Sequence, residues 1–267
     1  MANKSAQHLL NLKDEIVQFN TINAAHYQRY DVKRGLRNKD GSGVLAGLSQ
    51  ISSVVGSQII DGDRLPVEGI LKYRGVPLDE LMQQFSQSDR FCFEKVMFLL
   101  LVGRLPSQDE EVSFIQHIHQ AKAIPDVVMN HIIQGIPSKN IMNKCQLALA
   151  SLYHLDDDAD SLDPYQNFLK SVDIIAKLPT IIAMSYLIAY RPGAKLLEPP
   201  KDCSLAEGFL YVLNEGKKGS ELENFMVDLS LILHAEHGGG NNSTFTTAVV
   251  TSSGSDIYST LAAAIAS

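Results

Sequence analysis

The side chains most suited to chemistry lie near the C-terminal end of the sequence, where His234 and His237 precede the glycine run 238–240. A spacing of three residues predicts that both imidazoles share one face of a helix, about one turn apart. Because three consecutive glycines do not easily continue a helix, we expect the pair at a helix C-terminus. The partial negative charge of that helix end favours a protonated imidazole, which can donate to a carbonyl or carboxylate oxygen.

Polar side chains directly after the glycines extend this arrangement. Asn241, Asn242 and Ser243 offer amide and hydroxyl groups, and one of the two asparagines can cap the helix that follows. The N-terminus of that helix is suited to an anion. Two imidazoles, a glycine bend and a helix N-terminus therefore predict a site that binds a polarised carbonyl or a carboxylate.

Two other interpretations of the histidine pair remain open. A metal site is disfavoured, because His-x-x-His lacks the His-Glu-x-x-His spacing of zinc peptidases and Glu236 is expected to point off the shared face. We predict no metal. The second alternative is a pair of hydrogen-bonded structural histidines. The other histidines are interpreted as structural or solvent-facing: His8, His26, His117, His119, His131 and His154.

Composition restricts the partners and the compartment. A formal net charge of −7 argues against nucleic acid, because a phosphate backbone requires a basic face. Cys92, Cys145 and Cys203 are widely spaced, which indicates free thiols in a reducing compartment. The polar N-terminus has no signal-peptide core, and the apolar stretch 174–190 is interrupted by a lysine and a proline. We expect a cytoplasmic protein, with that stretch as a buried helix and no membrane contact.

Apolar periodicity predicts helices along most of the chain. Residues 5–30 carry an amphipathic stripe, whereas the β-branched residues of 44–60 favour extended structure. Residues 65–85, LPVEGILKYRGVPLDELMQQF, are typical of a short strand, a tight turn and a helix. Ser107 with Glu110 matches a capping box at the start of a helix that runs to 121.

The remaining signals complete an all-α pattern. Ser88 or Asp89 is expected to cap a helix over 90–102, which Gly103 ends. Further helices are predicted near 125–134 and over 138–153, 165–190, 203–214, 219–236, 241–253 and 255–267. Because strands and helices do not alternate, we predict an all-α fold with a short N-terminal β element.

Several motifs, taken in order, resemble the citrate synthase family. HAEHGGGNNSTFT followed by SDIYSTLAAAIAS is similar to the family signature, in which His-x-x-His leads into a short loop, an Asn, a Ser and a helix. DGDRLPVEGILKYRG, LLLVGRLPSQDE and AKLPTIIAMSYLIAYRPG with SLAEGFLYVL resemble further family segments. The resemblance implies that 1–40 is an N-terminal helical extension. It implies that 41–267 is the N-terminal portion of a large, incomplete citrate-synthase-like helical domain.

The resemblance also implies an activity and a set of residue roles. Citrate synthases condense acetyl-CoA with oxaloacetate and water to give citrate and CoA, the first step of the tricarboxylic acid cycle. By motif match, His237 contacts oxaloacetate, Asn241 lies near the same ligand, His234 supports it, and Ser243 orients a catalytic histidine. No cofactor or metal is implied, acetyl-CoA being a substrate, and the full-length protein is expected to be a homodimer.

The sequence departs from the family pattern after its last helix. The motif that holds the histidine acting on the enol, the aspartate base and the carboxylate-binding arginines are not found, and the pattern DIYSTLAAAIAS stops without a helix-end signal. We therefore expect a truncated chain that is inactive alone.

Three alternatives to this function remain. 2-Methylcitrate synthase, using propionyl-CoA, differs by one methylene, which is worth only about 1–3 kcal/mol of discrimination. A non-catalytic helical dimerisation or interaction module belongs to a different class. The third is an all-α domain without a site.

Overall fold

The computed structural model describes residues 23–29, 35–38, 41–44, 49–61, 63–86, 88–136, 138–238 and 241–267, and the chain divides into two compact units, Met1–Leu45 and Ala46–Ser267. The described part of the first unit contains helix α1 (Ala24–Arg29) and a backbone bridge between Arg37 and Gly43. The helix predicted over 5–30 therefore lies mostly outside the described residues.

The second unit begins with a small antiparallel sheet. Strand β1 (Ser52–Ile60) pairs with β2 (Asp63–Tyr73), and β2 pairs with β3 (Val76–Pro77). The register between β1 and β2 shifts between Val55 and Ser57. This sheet is the predicted N-terminal β element, and β1 falls inside the predicted extended segment.

The turn between β2 and β3 requires left-handed backbone. Arg74 and Gly75 have φ angles of 49° and 87°, which close a two-residue hairpin. Pro77 then occupies the N-cap of α2 (Leu78–Met82), and Asp79 lies in its first turn. The strand, turn and helix predicted from this stretch are confirmed.

Helices make up most of the rest of the second unit. They are α3 (Cys92–Val102), α4 (Gln108–Ala121), a π-helix (Val128–Gln134), α5 (Ile141–Leu152), a short 3-10 turn (Tyr153–Leu155), α6 (Pro164–Tyr190), α7 (Leu205–Leu213), α8 (Glu221–His234), α9 (Asn242–Ser252) and α10 (Ile257–Ile265). The predicted all-α fold with a short β element is confirmed.

The helix predicted near 125–134 is a π-helix, not an α-helix. A wider turn leaves carbonyl groups that need partners at its end. Lys144 of α5 supplies them, because its Nζ lies 2.9 Å from the carbonyl oxygen of Ile132 and 3.3 Å from that of Ile133. Lys144 is buried, and burial lowers the pKa of its ammonium group.

Helix α6 lies at the centre of the packing, in contact with α4, α5 and α7. In the part of the chain that the structure describes, it is the one helix long and apolar enough to cross a membrane, with a mean hydropathy of 1.7 over its most apolar window. Half of that window is buried inside the protein. Ile181, Met184 and Leu187 are among its fully buried residues, as expected for a core helix.

Three serines begin helices with capping boxes, of which the sequence analysis predicted the one at Ser107. Ser107, Ser204 and Ser220 each accept from the backbone three residues on, and a glutamate at that position reaches back to the serine. The capping box predicted at Ser107 and Glu110 is confirmed. Gly103, with φ of 103°, ends α3 as predicted.

The predicted start of α3 is wrong. The helix begins at Cys92, and neither Ser88 nor Asp89 caps it. Asp228, from the middle of α8, accepts from the backbone N–H of Cys92 at 3.0 Å and of Phe93 at 3.3 Å. A side chain 136 residues away in sequence therefore provides the cap, which no local pattern could reveal.

A second buried carboxyl group also accepts from a backbone N–H at the start of a helix. Glu94 of α3 is 1% exposed, and its Oε1 accepts from the backbone N–H of Leu205, in the first turn of α7, at 2.7 Å. Burial, with a further contribution from nearby Asp228, raises the pKa of Glu94 to about 8. Burial also raises the pKa of Asp228 to about 6, although its backbone hydrogen bonds oppose the shift.

We predict that Glu94→Gln makes the protein more stable at pH 8 by more than ~1 kcal/mol. The pKa of Glu94 is higher in the folded state than its ordinary value of 4.5, so its contribution to stability is complete below pH 4.5 and is lost as the pH rises towards 8. Glutamine is neutral throughout and keeps the oxygen that faces Leu205.

Urea unfolding of wild type and variant from pH 5 to 9 measures this difference. The exposed Glu80→Gln substitution is the matched control and should leave the pH dependence of the unfolding free energy unchanged. Parallel stability curves for wild type and Glu94→Gln would contradict the prediction.

Candidate functional site

Helix α8 ends earlier than the histidine spacing predicts. His234 is its last residue and Ala235 is the C-cap, so His237 lies beyond the helix. The prediction that both imidazoles share one helix face is therefore wrong. His234 is exposed, and its Nδ1 lies 2.8 Å from the carbonyl oxygen of Ser230, one turn back in the same helix.

A buried tyrosine bonds to backbone groups on both sides of this helix end. The hydroxyl of Tyr73, at the end of β2, donates to the carbonyl oxygen of Ile232 at 2.7 Å. The same hydroxyl accepts from the backbone N–H of Glu236 at 3.4 Å. Tyr73 is 0% exposed, and burial raises the pKa of its phenol. It satisfies backbone groups on both sides of the helix end and ties the sheet to α8.

Glu236 organises the segment that follows the helix. Its Oε1 accepts from the hydroxyl of Ser52 at 3.1 Å and from the backbone N–H of Gly238 at 2.6 Å. Gly238 has φ of 93°, a conformation that residues with a Cβ rarely adopt. The sequence interpretation set Glu236 aside as pointing away from the pair, and the structure makes it the anchor of the loop.

Asn241 joins the second histidine to the next helix. Its Oδ1 accepts from the backbone N–H of Thr244 at 2.6 Å, which caps α9 as predicted for one of the asparagines. Its Nδ2 lies 3.0 Å from Nε2 of His237.

The cap determines which atoms donate in this pair. Because Oδ1 faces a backbone donor, the amide of Asn241 cannot be flipped, and Nδ2 must donate to His237. Nε2 of His237 is then an acceptor without a proton, and Nδ1 carries the proton. Since His237 is exposed, its Nδ1–H can donate to a ligand.

Ser243 lies in the first turn of α9. Its Oγ is 3.5 Å from the carbonyl oxygen and 3.4 Å from the hydroxyl of Ser267. The structure thus brings His237 and Asn241 into direct contact, while His234 and Ser243 bond to other groups. The part of the chain that the structure describes contains no group of three or more His, Cys, Asp or Glu side chains that could hold a metal ion.

The arrangement can present an imidazole N–H donor beside a helix N-terminus. Such a pair suits an oxygen that gains negative charge together with a nearby carboxylate. Sequence reasoning missed Ser52, Tyr73 and Glu236. Ser52 and Tyr73 reach Glu236 from 184 and 163 residues away, so their contribution has no local signal.

Comparison with known proteins identifies the family. The sequence model described as "Citrate synthase, C-terminal domain" matches residues 37–267. The chain is 33% identical to citrate synthase 2 of Bacillus subtilis over 84% of its own length and 54% of that protein. It is also 33% identical to a 2-methylcitrate synthase of Mycobacterium tuberculosis, over 89% of its own length and 54% of that protein.

Solved structures agree with the sequence match. The crystal structure of citrate synthase from Pyrobaculum aerophilum has a TM-score of 0.72 and 28% identity, covering 88% of this chain and 57% of that one. The fold is that of a mainly helical citrate-synthase-like domain. Because the family model matches most of the sequence, the chain belongs to the citrate synthase family. It spans about half the length of the curated relatives it matches.

We predict that Tyr73→Phe lowers the free energy of unfolding by about 1–3 kcal/mol, because it leaves the Ile232 carbonyl without its buried partner. Urea unfolding measures the loss. Tyr165→Phe, at a residue 64% exposed, is the matched control and should change stability little. Equal stabilities of wild type and Tyr73→Phe would show that the hydroxyl does not hold the helix end.

Proposed function

We propose that this chain provides the oxaloacetate-binding segment of an enzyme that condenses acetyl-CoA with oxaloacetate and water to give citrate and CoA. Membership of the citrate synthase family supports the reaction class. The observation that carries the proposal for this chain is the His237–Asn241 pair, which leaves Nδ1–H of an exposed imidazole as a donor.

The reaction needs a polarised ketone. A base removes a proton from the methyl group of the acetyl thioester, the resulting enol carbon bonds to the ketone carbon of oxaloacetate, and water then cleaves the citryl thioester to release CoA. Negative charge develops on the ketone oxygen as the carbon–carbon bond forms. In the proposed site, Nδ1–H of His237 donates to that oxygen and the N-terminus of α9 attracts a carboxylate of the same ligand.

A second acyl substrate is equally supported by identity. The citrate synthase of Bacillus subtilis and the 2-methylcitrate synthase of Mycobacterium tuberculosis are both 33% identical to this chain. Condensation of propionyl-CoA to 2-methylcitrate is therefore the alternative. A competition assay between acetyl-CoA and propionyl-CoA, in a catalytically active assembly, distinguishes the two activities.

We predict that the chain binds oxaloacetate and that His237→Ala weakens binding at least about tenfold, because one hydrogen bond to the ligand is lost. Isothermal titration with oxaloacetate measures the dissociation constants. His154→Ala, at another exposed histidine, is the matched control and should bind as wild type does. Wild-type protein that gives no binding would refute the proposed site.

We further predict that the 267-residue polypeptide alone forms citrate several powers of ten more slowly than a typical enzyme. The reason is that the proposed site binds and polarises oxaloacetate, while none of its residues is the base or the enol-stabilising histidine that the family resemblance implies. Release of CoA from acetyl-CoA with oxaloacetate present measures the rate. Turnover of ~1 per second or faster would contradict the prediction.

The interaction-module alternative makes different predictions. It requires a folded assembly that has no affinity for oxaloacetate. Sedimentation of the purified chain, combined with the titration above, distinguishes the two functions. The homodimer expected for the family is tested by the same sedimentation measurement.

A further inference from the structure

The backbone on both sides of His237 is tied down by hydrogen bonds. The N–H of the preceding residue, Glu236, bonds to the hydroxyl of Tyr73 at 3.4 Å. The N–H of the following residue, Gly238, bonds to the carboxylate of Glu236 at 2.6 Å. His237 therefore sits between two fixed peptide groups, although it lies outside any helix or strand.

The carboxylate of Glu236 connects this segment to the sheet. One oxygen, Oε1, accepts both from Gly238 and from Ser52, the first residue of β1. Through these bonds the backbone that carries the His237 side chain is attached to the sheet as well as to α8. Gly238 can complete the turn because it lacks a Cβ, with φ of 93°.

The other side of His237 is held by Asn241, whose own orientation is fixed by the cap of α9. The imidazole is thus placed by two independent anchors, Glu236 before it and Asn241 after it. Removing either anchor should let an exposed side chain leave the geometry needed for a directed hydrogen bond.

We propose that Glu236 is a positioning residue for the reaction, acting through the geometry of its carboxylate oxygen on His237 and not through its charge. This inference rests on the proposed function, since positioning His237 matters only if His237 contacts oxaloacetate. It assigns a role to a residue that itself need not touch the substrate.

Two substitutions at Glu236 are expected to have different effects on oxaloacetate binding. Glutamine keeps an oxygen where Oε1 lies, so Glu236→Gln should retain both hydrogen bonds and bind oxaloacetate within about threefold of wild type. Glu236→Ala removes the acceptor and should weaken binding about tenfold or more. Glu221→Ala, at an exposed glutamate in the first turn of α8, removes the same charge and is the matched control, expected to bind as wild type does.

Titration with oxaloacetate gives the first readout. We expect Glu236→Gln to keep the oxaloacetate affinity that Glu236→Ala loses. If the negative charge of Glu236 were what matters, both variants would lose affinity equally. Equal weakening in Glu236→Gln and Glu236→Ala would overturn the proposal, as would wild-type affinity in Glu236→Ala.

A second readout does not depend on the ligand. NMR measures amide exchange at Gly238 and the contact between the ring protons of His237 and the side-chain amide protons of Asn241. In Glu236→Ala we expect exchange at Gly238 to rise about tenfold and that contact to weaken, whereas Glu236→Gln should keep the wild-type exchange and contact. Unchanged exchange and contact in Glu236→Ala overturn the positioning role. If wild-type protein binds no oxaloacetate, the proposed function fails, and this second readout still decides whether Glu236 places His237.

Discussion

Backbone groups at a helix end must find partners, and in this protein distant side chains supply several of them. Helix α8 shows the constraint at two points. At its C-terminus, Tyr73 accepts from one side of the helix end and donates to the other. In its middle, Asp228 caps α3. The sheet, α3 and α8 are therefore joined by side chain to backbone hydrogen bonds, and the segment with His237 begins at the end of α8.

Buried carboxyl groups also supply partners to backbone N–H groups at the starts of helices. Asp228 accepts from the first turn of α3, and Glu94 of α3 accepts from the first turn of α7. Side chain to backbone bonds therefore join three helices in sequence. A buried carboxylate is costly unless it is well paired, and Glu94 lowers that cost by holding its proton. The pKa of Glu94 near 8 is the consequence, and the stability of this helix junction depends on pH for that reason.

The sequence predicted well what local chemistry decides. The capping box at Ser107, the glycine that ends α3 and the cap of α9 by Asn241 all depend on residues within four positions of each other. Repeated apolar spacing likewise located the helices. The family resemblance rested on motifs of the same local kind, and the family match confirmed it.

The failures share the opposite property. The start of α3 depends on Asp228, and the end of α8 depends on Tyr73, both more than 100 residues away in sequence. The histidine spacing predicted a common helix face because no residue between 234 and 237 forbids a helix. The bonds of Tyr73 to the Ile232 carbonyl and the Glu236 N–H stabilise the earlier helix end, and they are tertiary contacts that the local pattern does not encode.

The cap of α9 has a chemical consequence for the neighbouring histidine. Because Asn241 uses its oxygen on the helix, it has only its amide N–H to offer, and His237 must accept it through Nε2. A protonated ring would place two donors against each other and break this contact. The same amide that begins a helix thus sets which ring nitrogen of His237 accepts, and Nδ1–H of the exposed ring is the remaining donor. In the proposed site, this N–H donates to the ketone oxygen and the N-terminus of α9 attracts a carboxylate, so both proposed roles follow from the one hydrogen-bonded amide of Asn241.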